Sequence, residues 1–164
     1  MTRLRVGVVD VFPVIVTNDG WRVLLLRRAA GVRCPGSWEV VHGSIEDGER
    51  PADAAVRELR EEAGLALVRL YNVTAHAFHL HQTDTVEVAV AFCAFVEGVR
   101  GDDGESIMDP DVRLDVEHDA HAWLPLDEAI ERLFWPHEKR VLADAYALLA
   151  QGDAGPAEDV LRVL

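Results

Sequence analysis

Apolar residues recur near the start of the chain in two runs rich in valine and leucine. Val6–Val16 and Val23–Leu26 have the composition of β-strands, and the Asn-Asp-Gly sequence at 18–20 between them is typical of a turn. We therefore predict a β-hairpin at the start of the fold. Two later runs, Leu70–Leu80 and Thr85–Val96, predict two further strands joined by a short turn.

Three segments have the pattern of helices. Pro51–Ala63 begins with a proline, which suits a first helical turn, and is followed by Gly64, which suits a left-handed C-terminal cap. Leu126–Leu133 and Pro136–Ala150 combine apolar residues with good helix formers. We expect the first helix to lie between the predicted strands in sequence and the other two to follow them.

Loops and short strands are predicted between these elements. Ala30–Glu49 is rich in glycine and polar residues, which indicates a loop with at most a short strand at Trp38–Val41. Gly98–Pro110 reads as an acidic loop with several glycines. Arg113–Glu117 and His121–Leu124 are predicted to be short strands.

The order of these elements predicts an α/β fold in which a mixed β-sheet is sandwiched between helices. A chain of 164 residues has the length of one domain, and we expect this domain to span 1–150. The remaining segment, 151–164, is expected to be a C-terminal tail whose apolar residues can dock on the domain.

Composition and charge narrow the function. The chain is 49% hydrophobic and 27% charged, which is typical of a globular protein rather than a disordered one. Sixteen basic and 29 acidic residues give a net charge of −13, which argues against binding a nucleic acid polymer. No apolar run approaches the roughly 18 residues of a membrane span, and no targeting segment is apparent. Two distant cysteines, Cys34 and Cys93, fit a cytoplasmic protein.

An acidic stripe on the first predicted helix is the strongest chemical signal. Glu58, Glu61 and Glu62 share an arc of about 100° on a helical wheel. Clustered carboxylates repel one another, and Mg²⁺ shared with substrate phosphates would offset that repulsion. The alternative is a solvated acidic face on which Arg57 and Arg60 form local ion pairs.

The segment from Gly43 to Leu65 resembles the Nudix box, G-x5-E-x7-R-E-U-x-E-E-x-G-U, where U is aliphatic. All nine defined positions over 23 residues are matched, by Gly43, Glu49, Arg57, Glu58, Leu59, Glu61, Glu62, Gly64 and Leu65. The resemblance implies the Nudix fold and a Mg²⁺-dependent or Mn²⁺-dependent pyrophosphohydrolase. Members of this family hydrolyse a diphosphate linkage by attack of water on phosphorus.

The resemblance also implies roles for individual residues. Glu58, Glu61 and Glu62 would bind the metal, and Glu61 would be essential for turnover. Glu49 would assist the metal shell or form hydrogen bonds within it, and Arg57 would orient the carboxylates. Two glycines of the box would have backbone roles. Gly43 would let the loop approach the helix, and Gly64 would end the helix.

Two further residues are candidates next to the box. His42 stands where relatives carry the first glycine of a Pro-Gly-Gly sequence, and its backbone carbonyl is a candidate metal ligand. Its imidazole would either touch phosphate or be a hydrogen-bonded loop histidine. Glu117 matches a glutamate that often precedes the Trp-Leu-Pro stretch of relatives and is a candidate general base. The alternative for Glu117 is an exposed loop glutamate.

Substrate contacts are predicted from residues ahead of the box. Arg27 and Arg28 end the second strand and are candidates for gripping phosphates, although surface arginines are common at such positions. Trp38 is a candidate for stacking on a base, or a buried core aromatic. The strand histidines His76 and His79, and the nearby His81, lack a partnering cysteine or aspartate pattern and receive no metal role.

The spacing of Trp38, Gly43, Glu46 and Glu49 is similar to that of dihydroneopterin triphosphate and dATP pyrophosphohydrolases. The expected substrate is a small-molecule nucleotide, such as a nucleoside triphosphate, or another small diphosphate, acted on by a monomer or homodimer. Nucleotide-sugar, coenzyme A and dinucleoside polyphosphate pyrophosphatases are alternatives within the family. A non-catalytic nucleotide-sensing Nudix module is a further alternative, although such modules typically lose box glutamates.

Overall fold

The computed structural model describes residues 1–164. The strands are β1 (Arg3–Thr17), β2 (Gly20–Arg28), β3 (Trp38–Glu39), β4 (Val41–Ser44), β5 (Leu67–Leu80), β6 (Thr85–Val96), β7 (Val99–Arg100), β8 (Ile107–Met108) and β9 (His118–Pro125). The helices are α1 (Pro51–Ala63), α2 (Leu126–Arg132), α3 (Pro136–Leu149) and α4 (Glu158–Leu161), with a 3-10 turn at Gly155–Ala157.

Seven strands form one mixed sheet around the long strand β1. The order is β3-β2-β1-β6-β5, with β4 also paired to β1 and β9 also paired to β2. The β1 and β6 strands run parallel, and the remaining pairs are antiparallel. One end of β1 pairs with β2, at 14–17, and its middle pairs with β4, at 8–11. The predicted first hairpin is confirmed.

Helices cover both faces of this sheet, which confirms the predicted α/β/α layering. Alternate residues of β1 point to opposite faces, as the two-residue period of a strand requires. Val9 and Val11 belong to a core cluster with Leu59 of α1. Phe12 belongs to a second cluster, on the other face, with Leu142 of α3. The two faces are called below the α1 face and the α3 face.

The region between β6 and β9 differs from the prediction. Gly98–Pro110 contains the small hairpin β7–β8 rather than only loop. Arg113–Glu117, predicted to be a strand, has no regular strand structure, and β9 begins at His118. The physical reason is a local contact, because the backbone N–H of Arg113 donates to the Ala63 carbonyl at 2.9 Å. This segment therefore closes over the end of α1 instead of pairing with the sheet.

The C-terminal segment 151–164 lies against β5. The Val163 N–H donates to the Leu70 carbonyl at 2.8 Å, and the Leu70 N–H donates to the Leu164 carbonyl at 3.0 Å. The Tyr71 hydroxyl donates to Oε1 of Glu158 at 3.0 Å. These bonds give the edge strand β5 a covering segment, which limits open edge pairing.

None of the helices is long and apolar enough to cross a bilayer. Both cysteines are free thiols, and Cys93 is fully buried. Burial raises the pKa of the Cys93 thiol, so this residue is an unreactive part of the α3-face core.

Candidate active site

The predicted helix at Pro51–Ala63 is confirmed as α1. Glycines lie at both ends of the box, Gly64 at the end of the helix and Gly43 on β4. Pro51 occupies the first turn, and Gly64 adopts the left-handed conformation with φ 69°, donating its N–H to the Arg60 carbonyl at 2.9 Å. At the other side of the box, Gly43 on β4 faces α1. A Cβ on Gly43 would overlap the side chain of Glu58. Glycine at this position lets the strand approach a buried carboxylate directly.

Arg57 connects the loop before α1 to two glutamates of the helix. Its Nε and Nη2 donate to the two carboxylate oxygens of Glu49, each at 2.9 Å. Its Nη1 donates to Glu58 at 2.7 Å and to Glu61 at 3.2 Å. Its Nη2 also donates to the Ser44 carbonyl at 2.8 Å. The Arg57 guanidinium lowers the pKa of Glu49, and the pKa of Arg57 is raised chiefly by the same bond.

The three glutamates of the stripe differ in burial. Glu58 and Glu62 are buried, whereas 58% of the Glu61 side chain is exposed. Burial raises the pKa of Glu58, and it raises the pKa of Glu62 to about 8. The alternative of a solvated acidic face is wrong for Glu58 and Glu62, because both are buried. The ion pairs that it expects form at Arg57, which contacts Glu58 and Glu61, but not at Arg60. A cation beside Glu62 would favour its ionised form.

Two residues that the sequence did not suggest lie beside Glu62. Ligand atoms of Glu62, Asp115 and His118 lie within 4.8 Å of one another. His118 Nδ1 donates to Asp115 Oδ1 at 2.8 Å. Burial lowers the pKa of His118, but the carboxylates of Glu39, Glu62 and Asp115 raise it above its usual value. The sequence signal for these residues is the Asp-Val-Glu-His run at 115–118, which predicts a role for Glu117 but not for Asp115 or His118.

Glu117 and Arg28 contact each other at the edge of this site. Arg28 Nη1 donates to Glu117 Oε2 at 2.7 Å, and Arg28 Nε lies 3.5 Å from a carboxylate oxygen of Glu39. Arg28 is largely buried, with 13% of its side chain exposed, whereas 49% of the Glu117 side chain is exposed. Arg28 is therefore held by two carboxylates rather than free at a strand end.

Arg27 and Trp38 also lie side by side. Arg27 Nε donates to Asp119 Oδ1 at 2.7 Å, and about two fifths of the Arg27 side chain and of the Asp119 side chain is exposed. The guanidinium carbon of Arg27 lies 6.0 Å from the centroid of the Trp38 ring, and that of Arg132 lies 5.3 Å away. Trp38 is half-buried between two cations, which is a cation–π arrangement.

His42 joins the two faces of the sheet. Its backbone N–H donates to Glu62 Oε2 at 3.2 Å on the α1 face. Its side chain points the other way, where Nδ1 donates to Asp10 Oδ1 at 2.5 Å. The imidazole is thus a hydrogen-bonded histidine, as one of the two interpretations expected. The role of its carbonyl as a metal ligand stays a prediction.

Comparisons with known proteins identify the family. The NUDIX domain model matches residues 8–145. The chain is 29% identical over 136 residues to a bis(5'-nucleosyl)-tetraphosphatase (asymmetrical) of Sus scrofa, covering 82% of this chain and 84% of that protein. It is 40% identical over 60 residues to the dihydroneopterin triphosphate diphosphatase of Escherichia coli, covering 37% of this chain and 38% of that protein.

The chain is also similar to part of a longer protein and to a solved structure. The chain is 39% identical over 114 residues to an octanoyltransferase of Myxococcus xanthus, covering 68% of this chain but only 29% of that relative's length. The structure of an Ap4A hydrolase of C. elegans superposes with a TM-score of 0.68 at 20% identity, covering 88% of this chain and 97% of that one. The protein is a member of the Nudix hydrolase family, and its fold is the Nudix fold.

Proposed function

We propose that this Nudix hydrolase is a Mg²⁺-dependent pyrophosphohydrolase that cleaves a nucleoside triphosphate or a related small-molecule diphosphate. The observation that carries the proposal is the convergence of Glu49, Glu58 and Glu61 on the Arg57 guanidinium, with Glu62 buried beside them. An intact set of box carboxylates, ordered by one arginine, supports a catalytic role over a nucleotide-sensing one.

The side chains present fit a hard divalent cation. Mg²⁺ and Mn²⁺ prefer carboxylate oxygens, and Glu58, Glu61 and Glu62 would hold such an ion, assisted by the His42 carbonyl. Two of these carboxylates are buried and have raised pKa values, so a nearby cation would offset the cost of ionising them. When bound, the metal supplies charge neutralisation of the diphosphate and activation of water.

The remaining residues have positioning and proton-transfer roles in this proposal. Arg57 holds Glu58 and Glu61 in one arrangement through a single guanidinium, while Glu49 fixes that guanidinium from the loop side. One carboxylate oxygen of Glu117 accepts the hydrogen bond from Arg28, and the other oxygen would accept a proton from water as a general base.

Substrate contacts are proposed for residues at the end of β2 and the start of β3. The exposed part of Arg27 would contact phosphate by exchanging Asp119 for the ligand. Arg28, largely buried and held by Glu39 and Glu117, would act mainly through Glu117. Trp38 would offer a ring face to a base or pterin, in competition with the guanidinium groups beside it.

A dinucleoside polyphosphate is a second candidate substrate. The bis(5'-nucleosyl)-tetraphosphatase of Sus scrofa matches over more than four fifths of both chains, which is a longer match than the one to the dihydroneopterin triphosphate enzyme. Both candidates have the same reaction class, attack of water on an anhydride phosphorus. They differ in the leaving group.

A substrate panel with product identification tests the proposal. The full chain would be assayed with Mg²⁺ against nucleoside triphosphates, dihydroneopterin triphosphate, dinucleoside polyphosphates, nucleotide sugars, coenzyme A and RNA with a 5′-triphosphate. We expect metal-dependent hydrolysis of a small-molecule substrate, and Glu61→Gln should lower its turnover by at least about 100-fold. The exposed Glu131→Gln on α2 is the matched control and should retain full activity.

The two products fix the substrate and the attacked bond together. Binding of a nucleotide without turnover would replace the proposal with the sensing alternative. Hydrolysis confined to the RNA would contradict the small-molecule substrate, and undiminished activity of Glu61→Gln would contradict the assigned site.

A further inference from the structure

A cluster of histidines and acidic residues lies on the α3 face, on the opposite side of the sheet from the α1 glutamates. Asp10 of β1, His76 of β5 and His137 of α3 surround one point, His42 of β4 contacts Asp10, and Glu138 follows His137 on α3. Ligand atoms of Asp10, His76 and His137 lie within 4.8 Å of one another. We call these residues the histidine cluster.

The fold brings the cluster together from four separate elements. Asp10 pairs with His42 across the β1–β4 ladder, so their side chains point to the same face. Asp10 also pairs with Ala91 of β6, which pairs with Thr74 of β5, and His76 lies two residues further along on the same face. The first turn of α3 then places His137 over the sheet, with its ring centroid 4.4 Å from that of His76.

Buried polar atoms in the cluster have no hydrogen-bond partner. They are Asp10 Oδ2, both ring nitrogens of His76, and Glu138 Oε2. Asp10 is fully buried and Glu138 is 2% exposed. Leaving a buried polar group without a partner costs roughly 1–3 kcal/mol, and more for a charged group. Several such atoms in one place indicate a missing shared partner.

The contact between His76 and Asp10 has the geometry of two metal ligands rather than of a hydrogen bond. His76 Nε2 and Asp10 Oδ2 are 3.3 Å apart, yet neither is hydrogen-bonded. Two ligands of a tetrahedral zinc, with bonds of about 2.0–2.2 Å, are separated by roughly 3.3–3.6 Å. The other carboxylate oxygen, Oδ1, is held by His42, which fixes the orientation of Asp10.

The charge of the cluster also favours a cation. Asp10 and Glu138 are buried carboxylates, and no lysine or arginine forms an ion pair with either of them. The ion-pair partners of Asp10 are two histidines, His42 and His76, and coordination of a divalent cation would offset the cost of burying both carboxylates. The His42 side chain is 41% exposed, so an ion can reach the cluster from solvent.

We propose that Asp10, His76 and His137 bind a first-row transition-metal ion of the Zn²⁺ class, with His42 orienting Asp10 and Glu138 beside the site. Imidazole and carboxylate ligands suit Zn²⁺, while the all-carboxylate set on α1 suits Mg²⁺. The ion would tie the first turn of α3 to β1 and β5. The two sites share His42, whose backbone N–H contacts Glu62 of the α1 face and whose imidazole contacts Asp10 of the histidine cluster.

Metal titration of the full chain tests this site. Chelator-stripped protein in saturating Mg²⁺ would be titrated with Zn²⁺, following bound metal and thermal unfolding. A variant carrying Glu58→Gln and Glu61→Gln should still bind one Zn²⁺ and gain thermal stability, because the histidine cluster is intact. His76→Gln and His137→Asn in that background should each weaken Zn²⁺ binding by at least about 10-fold.

Control variants separate loss of ligand from loss of fold. The exposed His81→Gln, next to the end of β5, should bind Zn²⁺ like the parent. His137→Cys retains a ligand, so it should keep Co²⁺ binding and add a thiolate-to-cobalt absorption band that the parent lacks. The proposal is overturned if the parent binds no Zn²⁺ with an intact histidine cluster, if binding is unchanged in His76→Gln and His137→Asn, or if His137→Cys shows no new band.

Discussion

The two faces of the central sheet carry polar clusters of opposite construction. On the α1 face, the carboxylates of Glu49, Glu58 and Glu61 already share the Arg57 guanidinium. On the α3 face, Asp10 and Glu138 are buried without any arginine or lysine in an ion pair with them. The first cluster is compensated by the protein itself, and the second leaves buried atoms without partners.

The two clusters therefore differ in how buried carboxylates next to the sheet are neutralised. A guanidinium presents several donors in one plane and can hold three carboxylates in fixed positions around it, leaving an exposed oxygen set at Glu61. The histidine cluster contains the His42–Asp10 hydrogen bond, and its other buried polar atoms, on Asp10, His76 and Glu138, have no partner. It therefore gains order only when an ion or a ligand supplies the common partner.

Gly43→Ala should have the largest effect on turnover, because it disturbs the carboxylates of the α1 face without changing those of the α3 face. The added Cβ would overlap the Glu58 side chain and force its carboxylate out of the Arg57 network. Because misplacement of a catalytic group by about 1 Å can cost 100-fold, we expect turnover to fall by about 100-fold or more. Steady-state kinetics on the substrate from the panel measures this effect.

Ser44→Ala is the matched control for that change. The Ser44 side chain is exposed, and only its backbone carbonyl accepts from Arg57, so the variant should retain turnover. Zn²⁺ binding on the α3 face should survive Gly43→Ala, since His42 keeps its contact with Asp10. Equal losses of turnover in Gly43→Ala and Ser44→Ala would show that the 43–44 segment tolerates no substitution, and would contradict a specific need for space beside Glu58.

Arg57→Lys should disturb the same carboxylates with a smaller loss of turnover. Lysine keeps one positive charge but cannot donate in the forked pattern that holds Glu49, Glu58 and Glu61 together. We expect a loss of turnover of about 10-fold, with most of the metal dependence retained but shifted to higher Mg²⁺. A titration of rate against Mg²⁺ separates the two effects. Unchanged kinetics would contradict a positioning role for Arg57.

The α1 face was predictable because its residues are close in sequence. Helical spacing alone places Glu58, Glu61 and Glu62 on one side, and Pro51 and Gly64 mark the ends of the helix. What the spacing did not reveal was burial: two of these glutamates face the protein and one faces solvent. That distinction depends on how closely β4 approaches α1.

The α3 face was not predictable because its residues meet only through the sheet. Residues 10, 42, 76 and 137 lie more than 30 positions apart in sequence. The sequence around His76 shows no partnering aspartate pattern, because its partner is Asp10, two strands away in the sheet. The strand predicted at Arg113–Glu117 failed for a similar reason, since that segment is fixed by the end of α1.

The weakest expected effect concerns the segment that covers β5 and belongs to neither cluster. Glu158 accepts hydrogen bonds from the Ala154 N–H at 2.8 Å and from the Tyr71 hydroxyl at 3.0 Å. The Ala154 bond is the main cause that lowers the pKa of Glu158 below its usual value of 4.5. Its ionised form therefore stabilises the fold at neutral pH, and this contribution is lost as the pH falls below about 4.5 through the lowered pKa.

Glu158→Gln should lower the midpoint of thermal unfolding at pH 7 by roughly 2–4 °C. The difference from the parent should shrink as the pH falls below about 4.5, because protonated glutamate and glutamine then carry the same charge. Asp159→Asn, an exposed neighbour on the same helix, is the control and should show no such pH dependence. Turnover and Zn²⁺ binding should be unchanged in both variants. A constant difference across the pH range would show that Glu158 contributes by packing and hydrogen-bond geometry rather than by charge.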